Sequence, residues 1–108
     1  MKLEEYLDRA DRSAFGDWFG RLDARAAARI TTALTRLGQG NFSNVAPVGE
    51  GVSEHKIDFG PGYRIYFGRE GREMIILLGG GTKKRQQRDI DAARSLWAEF
   101  KARQKGKR

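Results

Sequence analysis

The sequence contains no cysteine and one histidine, His55. Without thiols there is no disulfide, thiolate zinc site, iron–sulfur cluster or cysteine nucleophile, a pattern that fits a reducing compartment. A lone imidazole rules out a two-histidine ribonuclease mechanism and argues against a multi-histidine metal centre. Long apolar runs are missing as well, since none approaches the roughly 20 residues a membrane-spanning helix requires. The start, MKLEEYLDRADR, is acidic and polar where a signal peptide is basic and then apolar. The expectation is a cytoplasmic chain that does not enter a membrane. Its 108 residues allow one domain around one hydrophobic core without covalent or metal staples.

Positive charge is plentiful. Lys and Arg number 21 against 14 Asp and Glu, a net charge of +7. Residues 1–50 balance seven against seven, while residues 51–108 hold 14 against seven, so the excess lies in the second half. A one-signed field on a small domain attracts polyanions, most commonly nucleic acid. The terminal KARQKGKR carries five of these charges, and without it the net charge falls to +2. Residues 101–108 therefore read as a basic tail behind a domain of residues 1–100.

The order of elements follows from periodicity. KLEEYL (residues 2–7) fits a short strand or the start of a helix, with a lean to strand. Phe15, Trp18, Phe19 and Leu22 fall at i, i+3, i+4 and i+7, one apolar helix stripe, with Asp11 or Ser13 placed to cap it. Asp23 can cap a second helix, with Ala26, Ile30, Ala33, Leu34 and Leu37 on its stripe and Gly38-Gln39-Gly40 as its stop, so the two helices predict a hairpin. A long loop spans residues 39–53, with a brief extended piece at Val45 to Val48. The period then becomes two. Ile57 and Phe59 alternate with Lys56 and Asp58, Tyr63, Ile65 and Phe67 with Arg64 and Tyr66, and Gly60-Pro61-Gly62 sets a tight turn between the two strands. Met74 to Leu78 is apolar throughout, as in a central strand covered on both faces. A last helix carries Ile90, Ala93, Leu96, Trp97 and Phe100 on one stripe, and Trp97 is expected to be buried. The fold class is α+β, with a helical hairpin and a C-terminal helix packed on an antiparallel sheet.

Alternation in the hairpin puts Arg64 and Tyr66 opposite Ile65, and Lys56 and Asp58 opposite Ile57 and Phe59. With helices on the apolar face, the polar side chains share an open one, and Lys83, Lys84 and Arg85 reach its rim. Such a cationic floor with an aromatic in it suits single-stranded RNA, whose phosphates bind cations and whose bases stack on rings; an exposed sheet face of ordinary polarity reads the same way. Gly79-Gly80-Gly81-Thr82-Lys83 departs from a P-loop in order and context. It reads as a turn of unhindered residues or as an anion-receiving helix start. His55 shares the parity of Ile57 and reads as a core-edge histidine bonded to a backbone carbonyl.

The stretch PVGEGVSEHKIDFGPGYRIYF, followed by EMIILLGGGTKKRQQRDIDAARSLWAEFK, resembles the addiction-module killer proteins, a branch of the RelE/HigB toxin superfamily. FGDWFGRLDARAAARITTALTRLGQGNF fits the same family, so the likeness covers nearly the whole chain. The resemblance implies a RelE-like compact fold and a toxin of a type II toxin–antitoxin pair, a metal-independent endoribonuclease needing no cofactor. Such a toxin cleaves messenger RNA on the ribosome, and its partner is an antitoxin, often a helix-turn-helix protein. In that chemistry the RNA 2′-hydroxyl attacks the adjacent phosphate and leaves a 2′,3′-cyclic phosphate and a 5′-hydroxyl. By resemblance Arg64 clamps the phosphate, Lys83 binds it or acts as base, Lys56 is a basic strand position, and Gln86 is a polar residue at the helix start. Lys84, Arg85 and Arg88 complete the RNA-binding set. Better-studied members carry a catalytic tyrosine near that helix. Gln86, Gln87 and Arg88 stand there instead, which leaves Tyr66 and His55 as substitutes for the general acid. Two other classes stay open: a non-catalytic toxin of this fold that inhibits DNA gyrase, and a plain RNA-binding module. The C-terminal helix and tail, Lys101 to Arg108, are placed near the antitoxin contact.

Overall fold

Side-chain caps set the two N-terminal helices. Ser13 Oγ accepts from the Gly16 N–H at 2.8 Å and starts α1 (Ala14–Gly20), and Asp23 Oδ1 accepts from the Ala26 N–H at 2.9 Å and starts α2 (Ala24–Gly38). Of the two candidate caps for α1, Ser13 does the work, and Asp11 sits in the preceding turn at φ 59°. The computed structural model describes residues 1–107; Arg108, the last residue of the expected tail, lies outside them. The strands are β1 (Lys2–Glu5), β2 (Val45–Gly49), β3 (Val52–Ile57), β4 (Tyr63–Glu70) and β5 (Met74–Thr82). A single 3₁₀ turn, Lys83–Arg85, leads into α3 (Gln86–Lys105).

The protein is α+β, as its periodicities indicate. Its one sheet has the order β1-β5-β4-β3-β2. Neighbours are antiparallel except β1, which runs parallel to β5 and makes the sheet mixed. The antiparallel expectation thus holds for four strands and is corrected at β1. That strand has no hairpin partner in sequence, and it reaches β5 only by lying alongside it in the same direction.

Both faces of the sheet are covered. On one, Phe15 of α1 and Ile30, Ala33 and Leu37 of α2 pack with Ile65, Phe67, Ile75 and Leu77. On the other, Ile90, Ala93 and Trp97 of α3 pack with Val52, Tyr66, Ile76 and Leu78. β5 feeds both cores, which accounts for its unbroken apolar run. Trp97 is buried, in keeping with its place on the stripe.

One expectation is corrected here. Gly79, Gly80 and Gly81 do not form a turn: they extend β5 and pair with Tyr66, Ile65 and Arg64. Glycine is needed there because a β-carbon on Gly80 would collide with the Trp18 ring, and one on Gly81 with the Asp89 carboxyl. The extended piece expected at Val45 to Val48 within the loop of residues 39–53 is present as β2, which forms a hairpin with β3 through Glu50 and Gly51, both at positive φ. At the C-terminus α3 runs on to Lys105, so much of the expected tail is helical, and Arg103 Nη1 donates to the Leu7 carbonyl at 2.8 Å.

Candidate functional site

The alternation that places Arg64 and Tyr66 on one face of β4 holds, but α3 covers that face. The expectation of an open sheet floor is therefore corrected. Arg64 is 4 % exposed and Tyr66 is wholly buried. A buried guanidinium requires a compensating charge, and Glu54 on β3 supplies it.

Glu54 is the hub. Its Oε1 lies 3.0 Å from Arg64 Nε, accepts from the Tyr66 hydroxyl at 3.3 Å, and accepts from Gln86 Nε2 at 2.8 Å. Tyr66 is its register partner across the β3–β4 ladder, and Arg64 stands diagonally from it. Gln86, the first residue of α3, reaches in from the covering helix. All three contacts fall on one oxygen, so Oε2 is left for other partners. The sequence reading did not include Glu54. The available signal was parity, because Glu54 alternates with His55 and shares the face of Lys56 and Arg64.

Around this hub the guanidinium is held from two sides. Arg64 Nη1 donates to the Gly62 carbonyl at 3.0 Å, and the same carbonyl accepts from the Lys83 backbone N–H at 3.0 Å. Gly62 has φ +79°, which turns the chain tightly enough to present its carbonyl to both. A β-carbon on Gly62 would lie 3.5 Å from Arg64 Nη1 and 3.7 Å from Lys83 Cβ. Gly62 therefore has Arg64 on one side and Lys83 on the other, both at ordinary contact distance from that position. Lys83, Lys84, Arg85 and Arg88 are exposed beside it, and Lys56, the register partner of Arg64, is exposed on β3. A strand-borne arginine, a lysine and a flanking set of free cations so converge at one end of the sheet.

Tyr66 is brought to the cluster but withdrawn from the surface. Burial first, then the Glu54 charge, push its hydroxyl far above the usual tyrosine range. It is thus a fixed neutral donor to Glu54, with its ring in the α3 core and unavailable for stacking on a base. His55 is not brought to the cluster. It points to the α2 side of the sheet, 5 % exposed, and its Nδ1 is buried without a hydrogen-bond partner, in place of the backbone-carbonyl bond expected from its parity. Burial, followed by the nearby Arg36 charge, lowers its pKa. The pairing of His55 with Arg64 in one catalytic step is corrected on that ground, since the sheet itself separates them.

No family model matches the chain. An uncharacterized protein of Haemophilus influenzae is 40 % identical to it over 87 residues, which cover 80 % of this chain and 88 % of that protein. The chain belongs to that protein's family.

Proposed function

We propose that the protein is an endoribonuclease toxin of the RelE/HigB kind, acting in the cytoplasm on messenger RNA at the ribosome and neutralised by a helix-turn-helix antitoxin. The observation that carries the reading is the meeting of Arg64 and Lys83 at Gly62, backed by the buried carboxylate of Glu54. A guanidinium fork can hold two non-bridging oxygens of a phosphate while charge accumulates on them, and a lysine beside it adds a second cation. The hydrogen bond from Nη1 to the Gly62 carbonyl and the Glu54 charge 3.0 Å from Nε hold the guanidinium before substrate arrives, so little reorganisation is needed at the moment of reaction.

The chemistry divides among these groups without a metal. The ribose 2′-oxygen forms a bond to the adjacent phosphorus while the bond from phosphorus to the 5′-oxygen breaks. Glu54, with Oε2 unused, is the carboxylate placed to take the 2′-hydroxyl proton. The 5′-oxygen leaves as a hydroxyl, with its proton supplied by the Lys83 ammonium or by water. Gln86 and Tyr66 orient Glu54 and touch no substrate. Lys56, Lys84, Arg85 and Arg88 bind flanking phosphates.

Expression of the wild-type chain should arrest growth and produce messages ending in 2′,3′-cyclic phosphates. Arg64→Lys, which retains the buried charge but not the fork, and Lys83→Ala should each relieve arrest while the purified protein remains folded. Co-expression of the antitoxin should abolish arrest. Intact transcripts beside an inhibited topoisomerase would sink the ribonuclease reading, and a harmless chain that binds RNA with a steep salt dependence would make it a binding module.

A further inference from the structure

A second cationic cluster lies on the α2 side of the sheet, outside the Glu54 hub. Arg29 and Arg36, two turns apart on α2, meet Lys56 and His55 of β3 around a cavity of about 220 Å³, with Asp58 and Asn44 on its rim. Among the described residues no carboxylate lies within 4.0 Å of Arg29, Arg36 or Lys56, because the ion pairs there involve Arg64 and Arg94. Three cations facing one acidic residue repel one another, and an anion between them relieves the repulsion. His55 adds an independent sign. Its buried Nδ1 has no partner, whereas buried polar groups nearly always have one. Arg29 also lies over the Phe59 ring at 4.6 Å, and that ring stacks on Tyr63 at 6.4 Å and 22°.

This cavity and the candidate active site lie on opposite faces of the sheet and come together at the end of β3, where Lys56 lines the cavity and is the register partner of Arg64. Register partners on antiparallel strands hold their β-carbons about 4.5–5.5 Å apart, so the Lys56 stem starts beside Arg64 at this end of the sheet. A strand of RNA passing around the end of β3 meets Lys83 and Arg64 on one face, then Lys56, then Arg29 and Arg36 on the other, with Phe59 and Tyr63 alongside as faces for its bases.

We infer that the α2–β3 cavity is a second phosphate site for the same RNA strand, in which Arg29 and Arg36 hold a backbone phosphate some nucleotides away from the scissile one. The inference rests on the ribonuclease reading and assigns that enzyme an extended substrate, single-stranded over several nucleotides.

The test uses the full chain and 2′-O-methyl RNA, which lacks the attacking hydroxyl, as oligonucleotides of three and twelve nucleotides. In fluorescence anisotropy, Arg29→Ala with Arg36→Ala should weaken the twelve-mer on the order of tenfold, as expected when charge-assisted contacts are lost. The slope of log affinity against log salt should flatten by roughly 0.7 for each phosphate contact removed, and three-mer binding should stay unchanged. Both arginines are exposed on α2, and Arg29→Lys with Arg36→Lys should preserve the slope. His55, as the only histidine, is a unique reporter: its imidazole resonances should move with the twelve-mer and not with the three-mer. Twelve-mer binding that ignores Arg29 and Arg36 but weakens in Arg64→Ala overturns the second site alone. An equal response of His55 to inorganic phosphate and to both RNAs also overturns it, by reducing the cavity to a free-anion site. Binding that ignores Arg64 as well as both α2 arginines removes the ribonuclease reading along with it.

Discussion

Glu54 and Arg64 form a buried ion pair between diagonal positions of adjacent strands, 3.0 Å apart, with side chains 10 % and 5 % exposed. Removing one member of such a pair leaves an uncompensated charge, at a cost of about 3–5 kcal/mol. Glu54→Ala should therefore destabilise the fold by about that much in urea titration, and Glu54→Gln should lose less because the amide oxygen still accepts. Replacing both partners by Leu and Met should restore much of the loss, since a well-packed apolar pair of similar volume is often no less stable. Additive losses in the double variant would show that the two residues do not depend on each other. Neither Glu54 variant should cleave RNA, and the apolar pair, although folded, should be inactive too.

Tyr66 makes the hub sensitive to alkali. Burial is the main cause of its raised pKa, so the folded state binds the phenolic proton more tightly than the unfolded state, whose value lies near 10.0. The stability tied to this proton is complete below pH 10.0 and falls as the pH rises from there toward the folded value. In Tyr66→Phe that part of the alkaline loss should vanish, at a cost near neutral pH of about 0.5–1.5 kcal/mol for the hydrogen bond to Glu54. Ultraviolet titration of tyrosinate against unfolding midpoints at several pH values tests both halves. A Tyr66 phenol that ionises near 10.0, the value of the unfolded chain, would contradict the buried placement.

The same hub shows where sequence reading stops. Helix stripes, capping residues and the apolar run of β5 were legible because each is a local pattern: three or four residues at a fixed spacing decide it. Arg64 and Lys83 are legible as a pair only through resemblance, and the structure brings both to the Gly62 carbonyl. What periodicity cannot report is whether a polar face is open. Arg64 and Tyr66 alternate as residues of a solvated face do, yet the stripe Ile90, Ala93 and Trp97 had a choice of faces, and only tertiary packing shows that α3 takes this one. Glu54 escaped notice for the same reason, since a carboxylate on an alternating strand looks solvated until a buried arginine is found beside it. The three glycines misled in a different way. Gly80 and Gly81 stand in a strand because Trp18 and Asp89 occupy the space of their side chains, and those contacts are distant in sequence.

That crowding yields a prediction for Gly80. An added methyl group must displace the Trp18 ring, which also packs edge-on to Tyr63 with centroids 6.3 Å apart. Overpacking of this kind costs typically about 1–3 kcal/mol. Gly80→Ala should lower stability within that range, and Trp18→Leu in the same chain should recover part of the loss by vacating the space. Tryptophan fluorescence should shift in Gly80→Ala, while Gly71→Ala, strained by a φ of +63° but with open space around its β-carbon, should leave the emission unchanged. An unaltered unfolding midpoint in Gly80→Ala would mean that the ring does not hold the place described.

The last prediction concerns acid, and its sign is opposite to that of Tyr66. Burial and the Arg36 charge lower the pKa of His55, so the unfolded chain, near 6.5, takes up the proton before the folded one does. Stability tied to His55 is therefore complete above pH 6.5 and is lost as the pH falls from there toward the lower folded value. Because His55 is the only histidine, no other imidazole contributes to this window. His55→Gln should flatten the dependence between neutral pH and the onset of carboxylate protonation, and its effect at neutral pH measures the packing and polar contributions separately. A wild-type unfolding midpoint that stays level on acidification through pH 6.5 would place His55 in solvent, against its 5 % exposure. Arg36→Ala should raise the folded pKa and shorten the window, because it removes the smaller of the two causes and leaves the burial.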